Sequence, residues 1–173
     1  NIDFAILGKE ETCTGDSARR LGEEYLFETL ATQNIETLNK YKFNTVITAC
    51  PHCFQVISKE YKDFGGNYNV VHHSTYIQEL IEKGKITVSP NIDGTITYHD
   101  ACYLGRYNDV YEAPRTIIES LLNEGEIVEM KDNKSGSLCC GAGGGNMWHE
   151  ITDGERINIK RFNQAVDTQA DTV

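Results

Sequence analysis

No apolar stretch in this 173-residue chain approaches the roughly 18 residues needed to cross a membrane. No basic, apolar, small-residue series opens it either, so nothing in it reads as an export signal, and the expected location is cytoplasmic. Positive charge is scarce: 16 Lys and Arg stand against 26 Asp and Glu, a net charge of −10. That balance argues against binding nucleic acid phosphates or an anionic membrane surface, and leaves a protein or a small cofactor as the partner. Six cysteines are too few for a disulfide scaffold, and a chain this long folds without such staples. No low-complexity linker divides the sequence. Its length suits one domain or two small halves sharing a core.

What cysteine there is comes in groups. Cys50 and Cys53 form a CxxC pair, Cys139 and Cys140 are adjacent, and Cys13 and Cys102 stand alone. In a reducing compartment, grouped cysteines point to metal or redox chemistry rather than to bridges.

The surrounding pattern alternates strands and helices. Strands are expected over Ile2–Leu7, Thr45–Ala49, Asn69–His72, Thr95–His99 and Glu126–Met130, where β-branched and apolar residues cluster. Helices are expected from Asp16 as N-cap to about Thr32, with Ala18, Leu21, Tyr25 and Leu30 on one face. Others should run over Ile35–Tyr41, Phe54–Tyr61, Ser74–Glu82, Ala113–Leu122 and Ile157–Val166, with Gly65 and Gly84 closing two of them. Such alternation predicts an α/β fold with mostly parallel strands and flanking helices, the cysteine groups sitting at strand ends.

Spacing shows an internal repeat. Cys139-Cys140-Gly141 resembles Cys13-Thr14-Gly15, each opening a loop before a helix. Cys102 precedes Cys139 by 37 positions, and Thr14 precedes Cys50 by 36. A counterpart of Cys50-Pro51-His52-Cys53 is therefore expected just beyond Val173, and a counterpart of Cys102 ahead of residue 1. The chain reads as a piece of a longer protein, with the later part of one repeat over 1–94 and the earlier part of the next over 95–173.

Chemistry leaves several readings open for these groups. Thiolate sulfur serves iron-sulfur clusters and zinc alike. Cys50 and Cys53, placed between a strand and a helix, suit a ligand pair, a thioredoxin-like redox pair or an inert buried CxxC. Cys139 and Cys140 do not suit one tetrahedral zinc, because neighbouring side chains diverge, but they can bridge separate irons. Gly141 and Gly143–Gly145 permit positive φ and let backbone N–H groups approach an anion; a plain glycine turn is the alternative. A phosphate loop is disfavoured, because no Lys-Ser/Thr follows. His52 and His99 could hydrogen-bond to sulfur or ligate, or could simply be satisfied residues at strand ends. Arg19, Arg20 and Arg106 could offset cluster charge or be solvated.

The motifs together resemble a known family. Cys13-Thr14-Gly15-Asp16 with Ala18-Arg19-Arg20, Cys50-Pro51-His52-Cys53, His99-Asp100-Ala101-Cys102 with Leu104-Gly105-Arg106, and Cys139-Cys140-Gly141-Ala142-Gly143-Gly144 cover nearly the whole chain in order. This series resembles the cysteine-rich CCG domains of the B and D components of heterodisulfide reductase and of related iron-sulfur oxidoreductases. The resemblance implies electron transfer through a 4Fe-4S type cluster held by Cys13, Cys50, Cys53, Cys102, Cys139 and Cys140. It also implies a ferredoxin-like dicluster segment in the same protein, a flavoprotein or dehydrogenase as donor, a quinone or disulfide as acceptor, and membrane association through other segments. The sequence departs from the family at Thr14, which replaces the second cysteine of the first CCG, and at Ala101, which replaces a proline. Counted with the outlying residues, the first repeat supplies four thiols and the second five, the family's number for its non-cubane cluster. With three cysteines of each set present, the piece alone is expected to be inactive and to hold zinc or nothing. A structural zinc domain and a metal-free CxxC thiol-disulfide oxidoreductase are the rival functions.

Overall fold

The computed structural model describes residues 2–150, 152 and 154–173. They form two compact units, residues 1–72 and 73–173.

In the first unit, α1 (Asp16–Arg20) and α2 (Glu24–Leu38) lead to strand β1 (Val46–Thr48). Helix α3 (Pro51–Gln55) follows, continues as a π turn over Val56–Glu60 and a 3-10 turn over Tyr61–Phe64, and gives way to β2 (Val70–His72). The strands pair in parallel, with Val46 opposite Val70 and Thr48 opposite His72. A helical crossover between parallel strands is the βαβ unit that the alternating pattern predicts.

The single helix expected from Asp16 to Thr32 is broken, because Gly22 adopts φ 85° and resets the helical phase. The buried face is therefore not the one expected: Leu21 and Tyr25 are exposed, and Phe27, Ala31, Ile35 and Leu38 are buried instead. Their spacing of four, four and three residues lays one stripe on the core, where Phe27, Ala31 and Ile35 meet Val56, Ile57 and Tyr61. The expected strand over Ile2–Leu7 does not form. Phe4 and Ile6 are exposed, and the segment has no strand partner among the described residues. Gly65, at φ 86°, ends the helical stretch after Cys50 as expected.

The second unit holds α4 (His73–Glu82), β3 (Ile92–Ile96), α5 (Glu112–Leu121), β4 (Leu122–Ile127) and α6 (Ile157–Asp167). Helix α4 packs on α5, so the spatial division falls ahead of the repeat boundary placed at residue 94. β3 and β4 are again parallel, with Ile96 opposite Ile127. Both strands begin earlier than expected, and Asp93-Gly94, ahead of the expected strand Thr95–His99, lies inside β3. Glycine explains the shift. A Cβ on Gly125 would collide with the Gly94 carbonyl oxygen, so glycine at position 125 lets the paired strands approach where a side chain could not. Beside β3, Thr172 forms a parallel bridge to Ile96, and the Asp171 carboxylate accepts from Thr95 N at 2.8 Å.

The architecture is α/β, with short parallel strands joined by helices. No helix among the described residues is long and apolar enough to cross a membrane.

Candidate metal centre

Cys13-Thr14-Gly15 and Cys139-Cys140-Gly141 have the same local geometry. Gly15 N donates to Cys13 Sγ at 3.4 Å, and Gly141 N to Cys139 Sγ at 3.3 Å. Both glycines are left-handed, at φ 88° and 78°, a conformation that glycine adopts without strain. Neither site has room for a Cβ, which would fall 2.9 Å from Phe27 Cδ2 at Gly15 and 2.7 Å from Ile157 Cγ2 at Gly141. In the second loop Ala142 N also approaches Cys140 Sγ, at 3.5 Å. Each loop thus aims amide hydrogens at sulfur, as an anion-binding turn does.

In the first unit, this loop meets the CxxC. Cys50 caps α3 and Pro51 fills the first helical position, where its missing N–H costs nothing. Cys53 donates to the Cys50 sulfur and pulls Cys50 down to about 5, helped by backbone N–H groups of Cys53 and His52. The same pairing, with burial, pushes Cys53 far up; the charge of Cys13 adds to it, and Thr14 Oγ1 opposes it from 3.5 Å. Cys13 therefore lies close enough to the pair to act on Cys53 electrostatically.

Buried polar groups anchor the Cys13 loop. Asn34 Nδ2 reaches the Cys13 carbonyl at 2.9 Å and Tyr61 Oη at 3.1 Å, while Tyr61 donates to the Thr14 carbonyl at 3.1 Å. Asp16, expected as the N-cap, is instead the first helical residue after Gly15. Its carboxylate lies 2.7 Å from His52 Nδ1 and 3.2 Å from Arg20 Nε. Burial alone would raise the Asp16 pKa, but His52 and Arg20 outweigh it and hold it below the usual range; the Asp16 hydrogen bond raises His52 in turn. Arg19 and Arg20 both pair with Glu60, so their visible task is to tie α1 to the helical stretch after the CxxC.

In the second unit, Cys102 gathers with the adjacent pair. Burial raises its pKa, and Cys139 and then Cys140 push it further. The loops carrying them are stitched through Asp100. Its side chain receives both Arg115 Nη1 at 2.7 Å and Arg115 Nη2 at 2.8 Å, and also Lys134 N at 2.7 Å; its carbonyl accepts from Ser137 Oγ at 3.3 Å. Arg115 also grips Glu129 with Nε at 2.6 Å and Nη2 at 2.9 Å. Arg106 donates to the Ser135 and Ser137 carbonyls just ahead of Cys139. His99 Nδ1 accepts from Arg161 Nε at 2.9 Å, and burial, then the Arg161 charge, hold its pKa below the ordinary value.

Three of these residues escape sequence reasoning. Asp100 sits inside the His99-Asp100-Ala101-Cys102 motif with nothing to reveal its role, and Arg115 and Arg161 belong to no motif. The available signal is a charged residue on a buried helical face: Arg161 shares a stripe of α6 with Gln164 and Ala165. Such a residue needs an acidic or carbonyl partner elsewhere in the chain.

Among the described residues, no three Cys, His, Asp or Glu side chains close into a metal-sized set. The donor chemistry nonetheless suits a sulfur-ligated cluster. It offers thiols in two gathered groups, amide hydrogens aimed at three sulfurs, and a buried Arg161 Nη2 that has no acceptor among the described residues.

Fold and site together define an α/β module built around paired cysteine loops. The chain matches the family described as Cysteine-rich domain, CCG, over residues 1–58 and 96–173, and it belongs to that family. It is 43% identical to the EtfAB:quinone oxidoreductase of Syntrophomonas wolfei over 98% of this chain and 23% of that protein. A "Probable membrane-anchored ferredoxin" of Chromohalobacter salexigens is 44% identical over 100% of this chain and 26% of its own length. The D component of the dihydromethanophenazine:CoB–CoM heterodisulfide reductase of Methanosarcina acetivorans is 33% identical over 99% of this chain and 43% of that polypeptide. The chain thus spans about a quarter of the first two relatives and less than half of the third. No solved structure matches it.

Proposed function

We propose that the chain is an electron-transfer module of an iron-sulfur oxidoreductase. Cys13, Cys50 and Cys53 contribute ligands to one centre, and Cys102, Cys139 and Cys140 to another. The observation that carries this reading is the duplicated loop, in which Gly15 and Gly141 each donate a backbone N–H to the cysteine two residues earlier. Neutral thiols gain little from such donors, whereas bridging and terminal sulfurs of a cluster carry negative charge. When bound, a 4Fe-4S type cluster supplies one-electron transfer; this chain's residues hold the sulfurs and set the local charge. In the full protein this reading adds a flavoprotein or dehydrogenase as donor, a quinone or disulfide as acceptor, and a ferredoxin-like segment; relatives named as an EtfAB:quinone oxidoreductase and a heterodisulfide reductase are in keeping with the electron-transfer role. In isolation, with three cysteines in each group, the chain holds zinc or no metal and is inactive.

Anaerobic purification of the full-length protein, with iron, sulfide and zinc analysis and a visible spectrum, tests this. Iron and sulfide in stoichiometric amounts with broad visible absorbance are expected; zinc alone would transfer the cysteines to a structural role. A second reading draws on the lowered pKa of the exposed Cys50 beside the raised Cys53, which suits thiol-disulfide exchange. That reading requires reductase activity that Cys50→Ser abolishes and Cys140→Ser leaves intact.

A further inference from the structure

The second unit contains a cleft of about 180 Å³ lined by His99, Met130, Cys140, Arg161, Phe162 and Ala165, among others. Arg161 is 5% exposed and firmly held: Nη1 donates to the Asp132 carbonyl at 2.6 Å and to Gln164 Oε1 at 2.9 Å. The Gln164 amide in turn donates to the Asp132 carboxylate, so the guanidinium cannot swing. Its Nε–H points at His99 Nδ1, 2.9 Å away.

A guanidinium only donates hydrogen bonds and does not lose its proton in proteins. His99 Nδ1 must therefore offer a lone pair, and the ring proton must sit on Nε2. A doubly protonated ring would set N–H against N–H. Resting on the iron-sulfur reading above, we propose that His99, fixed as the Nε2–H tautomer by Arg161, is a hydrogen-bond donor of the Cys140 cleft, and that it serves the sulfur centre without ligating a metal. Arg161 is then a positioning residue.

The ligand role fails on the same geometry. A metal-bound histidine donates its second ring N–H to a carboxylate, carbonyl or water. Here the second nitrogen faces a donor, so a metal at Nε2 would have to displace the proton that Arg161 confines there. The charge points the same way. Arg161 Nη2 is buried without an acceptor among the described residues, which suits negative charge arriving beside it. An N–H from His99 and a buried cation both favour the more negative, reduced form of a sulfur centre, and so raise its potential.

The test uses the anaerobically prepared full-length protein, titrated with reductant and followed by electron paramagnetic resonance. His99→Leu removes the donor, whereas His99→Gln restores an N–H at about the position of Nε2. The expected result is a lower midpoint potential in His99→Leu, largely recovered in His99→Gln, with iron and sulfide contents unchanged in both. Iron loss in His99→Gln would make His99 a ligand, and an unmoved potential in fully loaded His99→Leu would remove it from the site; either overturns the proposal. Nitrogen NMR of the histidine-labelled, metal-free protein reads the tautomer directly. A proton on Nδ1 would overturn the inference whatever the cluster does. Wild-type protein lacking iron and sulfide would overturn the iron-sulfur function and this role with it, leaving the tautomer to be judged by the NMR spectrum.

Discussion

Thr14 Oγ1 lies 3.5 Å from Cys53 Sγ, in the loop position that Cys140 occupies in the second repeat. Position 14 thus carries a hydroxyl where the corresponding position of the second loop carries a thiol. Thr14→Cys would place a fourth sulfur beside Cys13, Cys50 and Cys53 in the first unit. Four thiolates are the usual complement of a closed zinc site. The reduced, metal-free chain carrying Thr14→Cys should bind zinc at least about tenfold more tightly than wild type, equivalent to about 1.4 kcal/mol. Competition against a coloured chelator measures this. Equal affinities would show that position 14 does not face the same site as Cys53.

Arg115 and Asp100 are both almost fully buried, at 5% and 3% side-chain exposure, and Arg115 is pushed above its ordinary pKa first by Asp100 and then by Glu129. Breaking a buried pair leaves an uncompensated charge and costs about 3–5 kcal/mol. Arg115→Met should therefore destabilise the chain by about that much in urea unfolding. Replacing both charges, in Arg115→Met with Asp100→Asn, should cost less than the single change, since the carboxylate left without its partner is then only that of Glu129, whose side chain is 34% exposed to water. A double variant weaker than the single one would show that the pair stabilises the fold rather than merely neutralising itself.

Much of the fold is legible in the sequence because punctuation and periodicity carry local information. Gly65, Gly84 and the run Ile157–Val166 mark boundaries that the structure keeps, with α6 ending at Asp167. The two similar loops are visible as Cys13-Thr14-Gly15 and Cys139-Cys140-Gly141, because positive φ and close approach restrict the residue type itself. Non-local facts are hidden. Gly125 falls outside every expected element until Gly94 is known to lie against it. Leu21 and Tyr25 read as core until Gly22 is known to break the helix. Asp100, Arg115 and Glu129 come from three separate segments, and no spacing rule joins a buried triad before the chain has folded.

The glycines of the cysteine loops can be separated from ordinary left-handed glycines. Gly22 and Gly141 both have positive φ, but a Cβ at Gly22 meets nothing within 4 Å, whereas one at Gly141 meets Ile157 Cγ2 at 2.7 Å. Gly22→Ala should cost only the left-handed strain of about 1–2 kcal/mol. Gly141→Ala adds crowding worth about 1–3 kcal/mol and should be the more destabilised by that margin in urea unfolding. Similar losses at the two positions would mean that the Gly141 loop has room to relax, and that its closeness to Ile157 does not hold it in place.

His99 gives the chain an acid-sensitive component of stability whose sign follows from its surroundings. Burial, reinforced by Arg161, lowers its pKa in the folded chain below the ordinary 6.5. The unfolded chain therefore takes up a proton at this site first as the pH falls. The contribution of neutral His99 is fully present above about pH 6.5 and is lost progressively between there and the lowered folded value. Urea unfolding of the metal-free chain at pH 7.5 and 5.5 should show a larger acid-induced loss in wild type than in His99→Gln, which cannot titrate. Comparing the two losses cancels the carboxylates and the other histidines, which both proteins share. Equal losses would place His99 in an environment that accepts a second ring proton freely, and that is incompatible with the guanidinium held 2.9 Å from its Nδ1.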